Sequence, residues 1–158
     1  MDFRAQVPPR RLGPFPLAEE GIAALLGRYE FGDSCVRRVV LDQEFGAQSR
    51  GRAVRIVIDA QVRDEDNLWE TVCLDFEGVS RFRIDESKGF AWVLYDPPMF
   101  SRFDDKLYVD FCAEWFDGPG PANAEQVFEW SQLVFAMASG SWSVLQDWGD
   151  RTTIAPPR

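Results

Sequence analysis

Apolar positions along this chain change their period once. Over residues 17–29, Ile22, Leu25, Leu26 and Tyr29 recur at the i, i+3, i+4, i+7 spacing of one helix face. Pro16 stands at the start of that segment, Glu19 and Glu20 fall in its first turn and Arg28 lies near its end. This is the order the helix dipole favours. Gly21 and Gly27 oppose the helix by roughly 1 kcal/mol each. From residue 35 the period is two. Residues 35–41 are rich in β-branched side chains, and Val54, Ile56, Ile58 and Ala60 alternate with Arg55, Val57, Asp59 and Gln61. That alternation predicts a strand with one buried face. Val72, Leu74 and Phe76 line one face of a strand over 69–76, Gly78 interrupts it, and 79–84 resumes it. Segments 90–95 and 107–115 add two more strands. Segments 133–138 and 142–145, separated by Ser139-Gly140-Ser141, read as a last strand pair. Residues 124–130 fit either a short helix or a strand.

Turn chemistry punctuates these segments at 46–51, at Asp64-Glu65-Asp66-Asn67, at Lys88-Gly89, at Pro97-Pro98 and at Gly118-Pro119-Gly120-Pro121. Strands spaced this closely, without helices long enough for parallel crossovers, predict antiparallel pairing. The expected fold is α+β and β-rich: a curved antiparallel sheet of six to eight strands with one short N-terminal helix. Residues 1–16, with Pro8, Pro9, Pro14 and Pro16, read as an irregular arm. Residues 17–150 form the single domain, and 151–158 a loose tail. A length of 158 residues suits one domain, which can fold without a metal or disulfide.

Charge narrows the function classes. The net charge is −9. Residues 1–60 hold nine arginines against eight acids, whereas residues 104–150 hold nine acids opposed only by Lys106. An excess of acids opposes phosphate-backbone binding, so nucleic acid is excluded as the expected partner. No stretch approaches a membrane-spanning apolar run, and the first residues lack the apolar core of a secretory leader. No membrane partner is expected, and the cytoplasm is the expected location.

There is no histidine. That removes the commonest general base, the commonest metal ligand and the Ser–His and Cys–His nucleophile pairs. Cys35, Cys73 and Cys112 are widely spaced in apolar runs, and no C-x-x-C occurs, which argues for buried free thiols. The acids at 64–66 do not meet the calcium-loop pattern. Nucleotide-binding, hydrolase-elbow and zincin motifs are absent. The sequence therefore calls for no metal, no cofactor and no catalytic residue. A carboxylate pair of the glycosidase kind needs two acids about 5–10 Å apart across a cleft, which spacing in sequence does not specify.

Aromatic residues suggest where a partner docks. Trp69, Phe76, Phe82, Trp92, Phe111 and Phe135 occupy strand-face positions and read as packing residues, whereas Trp115, Phe116, Trp130, Trp142 and Trp148 lie among the acids of the second half. Trp is enriched at interface hot spots, and it also dominates cores. The candidate binding residues are Asp104, Asp105, Asp110, Glu114, Trp115, Asp117, Glu129 and Trp130.

Three segments carry a resemblance: Asp33-Ser34-Cys35-Val36-Arg37-Arg38-Val39-Val40-Leu41, then Val54-Arg55-Ile56-Val57-Ile58, then Trp69-Glu70-Thr71-Val72-Cys73-Leu74-Asp75-Phe76-Glu77-Gly78-Val79. Residues 33–85 resemble the immunity protein 50 family and related small bacterial domains. The resemblance rests on strand patterning, leaves the arm, the helix and the second half unaccounted for, and carries over no catalytic residue. It implies a non-enzymatic inhibitor that neutralises a toxin by protein–protein contact. An acidic inhibitor suits a basic protein partner, because complementary charge speeds encounter and sets specificity. Two alternatives stand beside this reading. One is a structural or adaptor domain that forms a homo-oligomer through a sheet edge. The other is a carboxylate-based enzyme or small-ligand protein, which requires buried acids with raised pKa values.

Overall fold

Strand periodicity resolves into two antiparallel sheets rather than one. A computed structural model describes residues 9–49, 51–87, 92–112 and 118–146. Twelve elements follow in chain order: β1 (Arg10–Pro16), α1 (Glu19–Arg28), β2 (Tyr29–Gln43), β3 (Arg52–Val62), β4 (Trp69–Glu77), β5 (Arg81–Ile84), β6 (Val93–Leu94), β7 (Met99–Phe103), β8 (Lys106–Asp110), α2 (Ala124–Trp130), β9 (Leu133–Met137) and β10 (Ser139–Leu145). The larger sheet runs β1-β10-β4-β3-β2-β6 and the smaller β5-β9-β8-β7.

The single sheet expected from the sequence divides into two, and two of the chain's crossings between them meet at one corner. β9 and β10 do not pair with each other: β9 joins β5 and β8, while β10 joins β4 and β1. The chain changes sheets at Ala138, and sixty residues earlier it changes sheets at Gly78. The two crossings touch. The Ala138 amide donates to the carbonyls of Glu77 and Gly78 at 3.2 and 3.1 Å. A Cβ on Gly78, whose φ is +60°, would lie 2.9 Å from the Ala138 Cβ. Strands that switch sheets at a bend are how packed sheets make corners.

Alternation then fills the space between the sheets. Val54, Ile56, Ile58 and Ala60 of β3, Val72, Leu74 and Phe76 of β4, and Trp142 and Val144 of β10 meet Leu107, Val109, Leu133, Phe135 and Met137 of the smaller sheet. Phe76 and Phe135 join the two layers with ring centroids 5.5 Å apart. Leu25 and Tyr29 of the predicted helical stripe are fully buried in this core, with Ile22 and Leu26 packed at its margin.

A second helix accompanies the N-terminal one. Asn123 accepts from the Gln126 amide at 3.0 Å, an N-cap that decides residues 124–130 as helix. Val127 and Phe128 of α2 pack on the far side of the smaller sheet, against Tyr108, Val134 and Ala136. Residues 10–16, read from their prolines as arm, form β1 at the edge of the larger sheet, where a missing proline donor does not break the ladder. β7 lies just beyond Pro97-Pro98 and escapes the strand pattern of the sequence. The Lys88-Gly89 turn and the tail at 151–158 lie outside the described residues. Trp142, grouped by sequence with the aromatics among the acids, is 3% exposed, whereas Trp69 is 41% exposed.

Candidate functional site

The candidate binding residues fall into three places. Asp104 and Asp105 form the two-residue turn between β7 and β8, with φ of 50° and 61° and Phe103 facing Lys106 across the ladder. Two positive φ values in a two-residue loop define the turn whose twist matches a hairpin, and aspartate tolerates that region. Both side chains are exposed. Glu129 and Trp130 end α2, also exposed. Asp110 differs: it is 1% exposed, and its Oδ1 accepts from the Ser131 hydroxyl at 2.5 Å and the Cys112 amide at 2.9 Å. It closes the end of β8 against the α2–β9 connection and is not part of the exposed surface. Glu114, Trp115 and Asp117 lie outside the described residues.

Asp104 and Glu125 both act on Tyr108. Its hydroxyl is pushed above the ordinary tyrosine range, chiefly by burial, then by the negative field of Asp104, with Arg81 opposing and Glu125 adding. Arg81 pairs with Glu125 at 2.8 Å and lies 4.0 Å over the Phe128 ring. Glu129 stands one helical turn beyond Glu125. Among the described residues, Asp104, Asp105 and Glu129 enter no ion pair.

Three carboxylates of the larger sheet are held in the opposite way. Glu70 has the parity of Val72, Leu74 and Phe76 and so faces the core side of β4. Arg28 grips it with Nη2 at 2.7 Å from Oε1 and Nε at 3.1 Å from Oε2, Arg11 reaches Oε1 at 2.7 Å, and the Tyr29 hydroxyl donates to Oε2 at 2.5 Å. Burial raises the Glu70 carboxyl, but the bonds from Arg28 and Tyr29 and the charges of Arg28 and Arg11 outweigh it and hold the group below the ordinary value. Tyr29 is held above its ordinary value by the same burial and by Glu70. On the outer face, Asp59 accepts from Arg37 at 2.5 Å and Thr71 at 3.1 Å. Asp75 accepts from Arg55 at 2.6 Å and Arg10 at 3.1 Å. The buried Cys73 thiol, 3.6 Å from Asp75, is pushed up to about 12 by desolvation and then by that carboxylate.

In the sequence Glu70 is marked only by being an acid at a core-parity position of an apolar strand. Chemically the cluster is a clamp that fixes a carboxylate as an anion. A general acid needs the reverse, a carboxyl held protonated by a raised pKa.

No family model, curated protein or solved structure matches the chain. Among the described residues no group of three Cys, Asp or Glu side chains is placed to hold a metal ion, and no helix is long and apolar enough to cross a membrane.

Proposed function

We propose that this chain is a non-enzymatic binding protein whose acidic side, built on α2 and the β7–β8 hairpin, receives a basic protein partner. The observation that carries this reading is the division of the carboxylates. Glu70, Asp59 and Asp75 are tied to arginines of α1 and of the larger sheet, whereas Asp104, Asp105 and Glu129 are exposed and hold no arginine among the described residues. Unpaired acids lose little on meeting a cation, because no internal bond has to break first. Trp130, 38% exposed beside Glu129, supplies an aromatic anchor of the kind enriched at interface hot spots. The resemblance of residues 33–85 to immunity proteins makes a toxin the particular partner we propose.

The test is capture of partners from the producing cells' lysate at low and high salt. The bait is the intact chain or a variant carrying Asp104→Asn, Asp105→Gly and Glu129→Gln. Asp110 is left untouched, because neutralising it would disturb the fold. One basic protein, retained by the intact chain, released by salt and missed by the variant, is the expected result. Capture indifferent to both salt and variant overturns the proposal.

A further inference from the structure

Two arginines converge on one carboxylate oxygen: Arg28 and Arg11 each place Nη2 2.7 Å from Oε1 of Glu70. Glu70 does not require both. The fork of Arg28 and the Tyr29 hydroxyl already bring a donor to each of its oxygens. Arg11 adds a second cation to an ion that is already paired, so the three side chains together keep one surplus positive charge. That surplus lies on the water side. The Glu70 side chain is 7% exposed, whereas Arg11 is 51% and Arg28 36% exposed. Arg11 spends only Nη2 and Arg28 leaves Nη1 unspent, and neither reaches a second carboxylate among the described residues.

An apolar strip adjoins the two cations. Leu12 pairs with Val144 and Phe15 with Trp142 across the β1–β10 ladder. Directly opposed residues share a face of the sheet, so Leu12 and Phe15 lie on the core face, where Arg11 meets Glu70. Val144 and Trp142 are buried there, but Leu12 and Phe15 remain 39% and 37% exposed. One framework holds the strip and the arginines together. The Phe15 ring lies 4.6 Å from Trp142, Trp142 meets the Tyr29 ring edge-on at 6.2 Å, and Tyr29 donates to Glu70.

Charge selects the ligand. One further carboxylate beside Glu70 neutralises the surplus, whereas a phosphate dianion would leave excess negative charge next to a buried anion. The planar guanidinium also matches the two oxygens of a carboxylate. We propose that Arg11 and Arg28, with Leu12 and Phe15 beside them, form a seat for a carboxylate carried on an apolar body. A free acid and the C-terminal residue of a peptide both present that group. The seat is distinct from the acidic side proposed above and does not depend on it.

NMR titration of the full chain at constant ionic strength tests the proposal, following the arginine Nε–H signals. The probes are 3-phenylpropionate, N-acetylphenylalanine amide-linked to nothing at its carboxyl end, acetate, 3-phenylpropanol and inorganic phosphate. The two aromatic carboxylates shift Arg11 and Arg28 saturably, and the tighter of the two identifies the source. Acetate binds about fivefold more weakly or worse, because it lacks the apolar body. The alcohol leaves both signals in place. Arg11→Gln raises the dissociation constant of the aromatic carboxylates about tenfold, the loss of a charge-assisted contact. Leu12→Ser raises it toward that of acetate and leaves acetate itself unchanged. Thermal melts accompany both variants, and should R11Q unfold, L12S decides. Signals that never saturate, acetate or phosphate binding as tightly as the aromatic carboxylates, or a folded R11Q or L12S that binds them undiminished would each overturn the proposal.

Discussion

The Tyr29 hydroxyl donates to Oε2 of Glu70 at 2.5 Å across a sequence separation of 41 residues. This bond ties the junction of α1 and β2 to the start of β4, and Arg28 and Arg11 close over the same carboxylate. The clamp does mechanical work: it fixes one end of the sandwich through an ion that has almost no access to water. Its cost is desolvation, and its compensation is that four hydrogen bonds reach the two oxygens. Such an arrangement is far more sensitive to loss of one partner than to exchange of the whole set for apolar groups.

Glu70→Gln is therefore expected to destabilise the fold by about 2–3 kcal/mol, since the charge-assisted bonds weaken and two guanidiniums lose their counter-charge. Tyr29→Phe removes one bond and leaves the ion paired, so about 1 kcal/mol is expected. Urea unfolding of both variants measures the difference. Equal losses in the two would mean that Glu70 is not held as an anion.

Acid titration tests the same ion from another side. The Glu70 carboxyl lies below its ordinary value of 4.5 in the folded chain. A depressed pKa contributes stability that is complete above the unfolded value and disappears as pH falls through the folded one. The stability gap between the intact chain and Glu70→Gln should be constant near neutrality and shrink below pH 4.5. A gap that widens on acidification would reverse the assignment.

Cys73 gives an alkaline counterpart. Its thiol is pushed up from 9.0 to about 12 by burial and by Asp75. A raised pKa contributes stability that is present below the unfolded value and lost as pH rises toward the folded one. In mildly alkaline buffer iodoacetamide should modify the half-buried Cys35 and Cys112 first. Cys73 should react only once denaturant opens the sheet, because the thiolate is the nucleophile. Mass spectrometry of the labelled peptides reads the order.

The helical stripe ending in Tyr29 and the alternation of β3 were legible, because each reflects one element meeting one core. Pairing was not legible at the corner. Ser139-Gly140-Ser141 resembles a hairpin turn, and nothing local says that Ala138 instead packs against Gly78. In the sequence Asp104 and Asp110 look alike, as acids of one surface. Asp110 lies on the polar-parity face of β8, but α2 and Ser131 cover that face, so the strand is buried on both sides. Parity identifies a face, and only the remote element that covers it decides whether the face is wet.

In the sequence the two helix glycines also look alike, as weaknesses, and the fold separates them. A Cβ on Gly21 would fall 1.8 Å from the Pro16 carbonyl oxygen, while one on Gly27 meets nothing within 4 Å. The Gly21 carbonyl also accepts from Trp142 Nε1 at 2.8 Å, so the helix cannot retreat without losing that bond. Gly21→Ala should cost about 1–3 kcal/mol through overpacking. Gly27→Ala should add about 0.4–1 kcal/mol by lowering the entropy of the unfolded chain. Thermal melts moving in opposite directions are the expected result, and a shared direction would contradict this packing of α1 on β1.

The β7–β8 turn separates folding from binding at the same residues. Asp104 and Asp105 both sit at positive φ, where Asn-Gly is the preferred pair for a two-residue hairpin. Asp104→Asn with Asp105→Gly should hold or raise stability, by up to about 1 kcal/mol, because glycine relieves the left-handed position. Asp105→Val should lower it, since a β-branched side chain is poorly accommodated at positive φ. The Asn-Gly variant also removes two of the exposed charges from the proposed docking side. If those carboxylates meet a basic partner, partner affinity falls while the unfolding midpoint does not, and the salt dependence of binding becomes shallower. A parallel fall of both would instead trace the loss of binding to the fold and remove the acids from the interface.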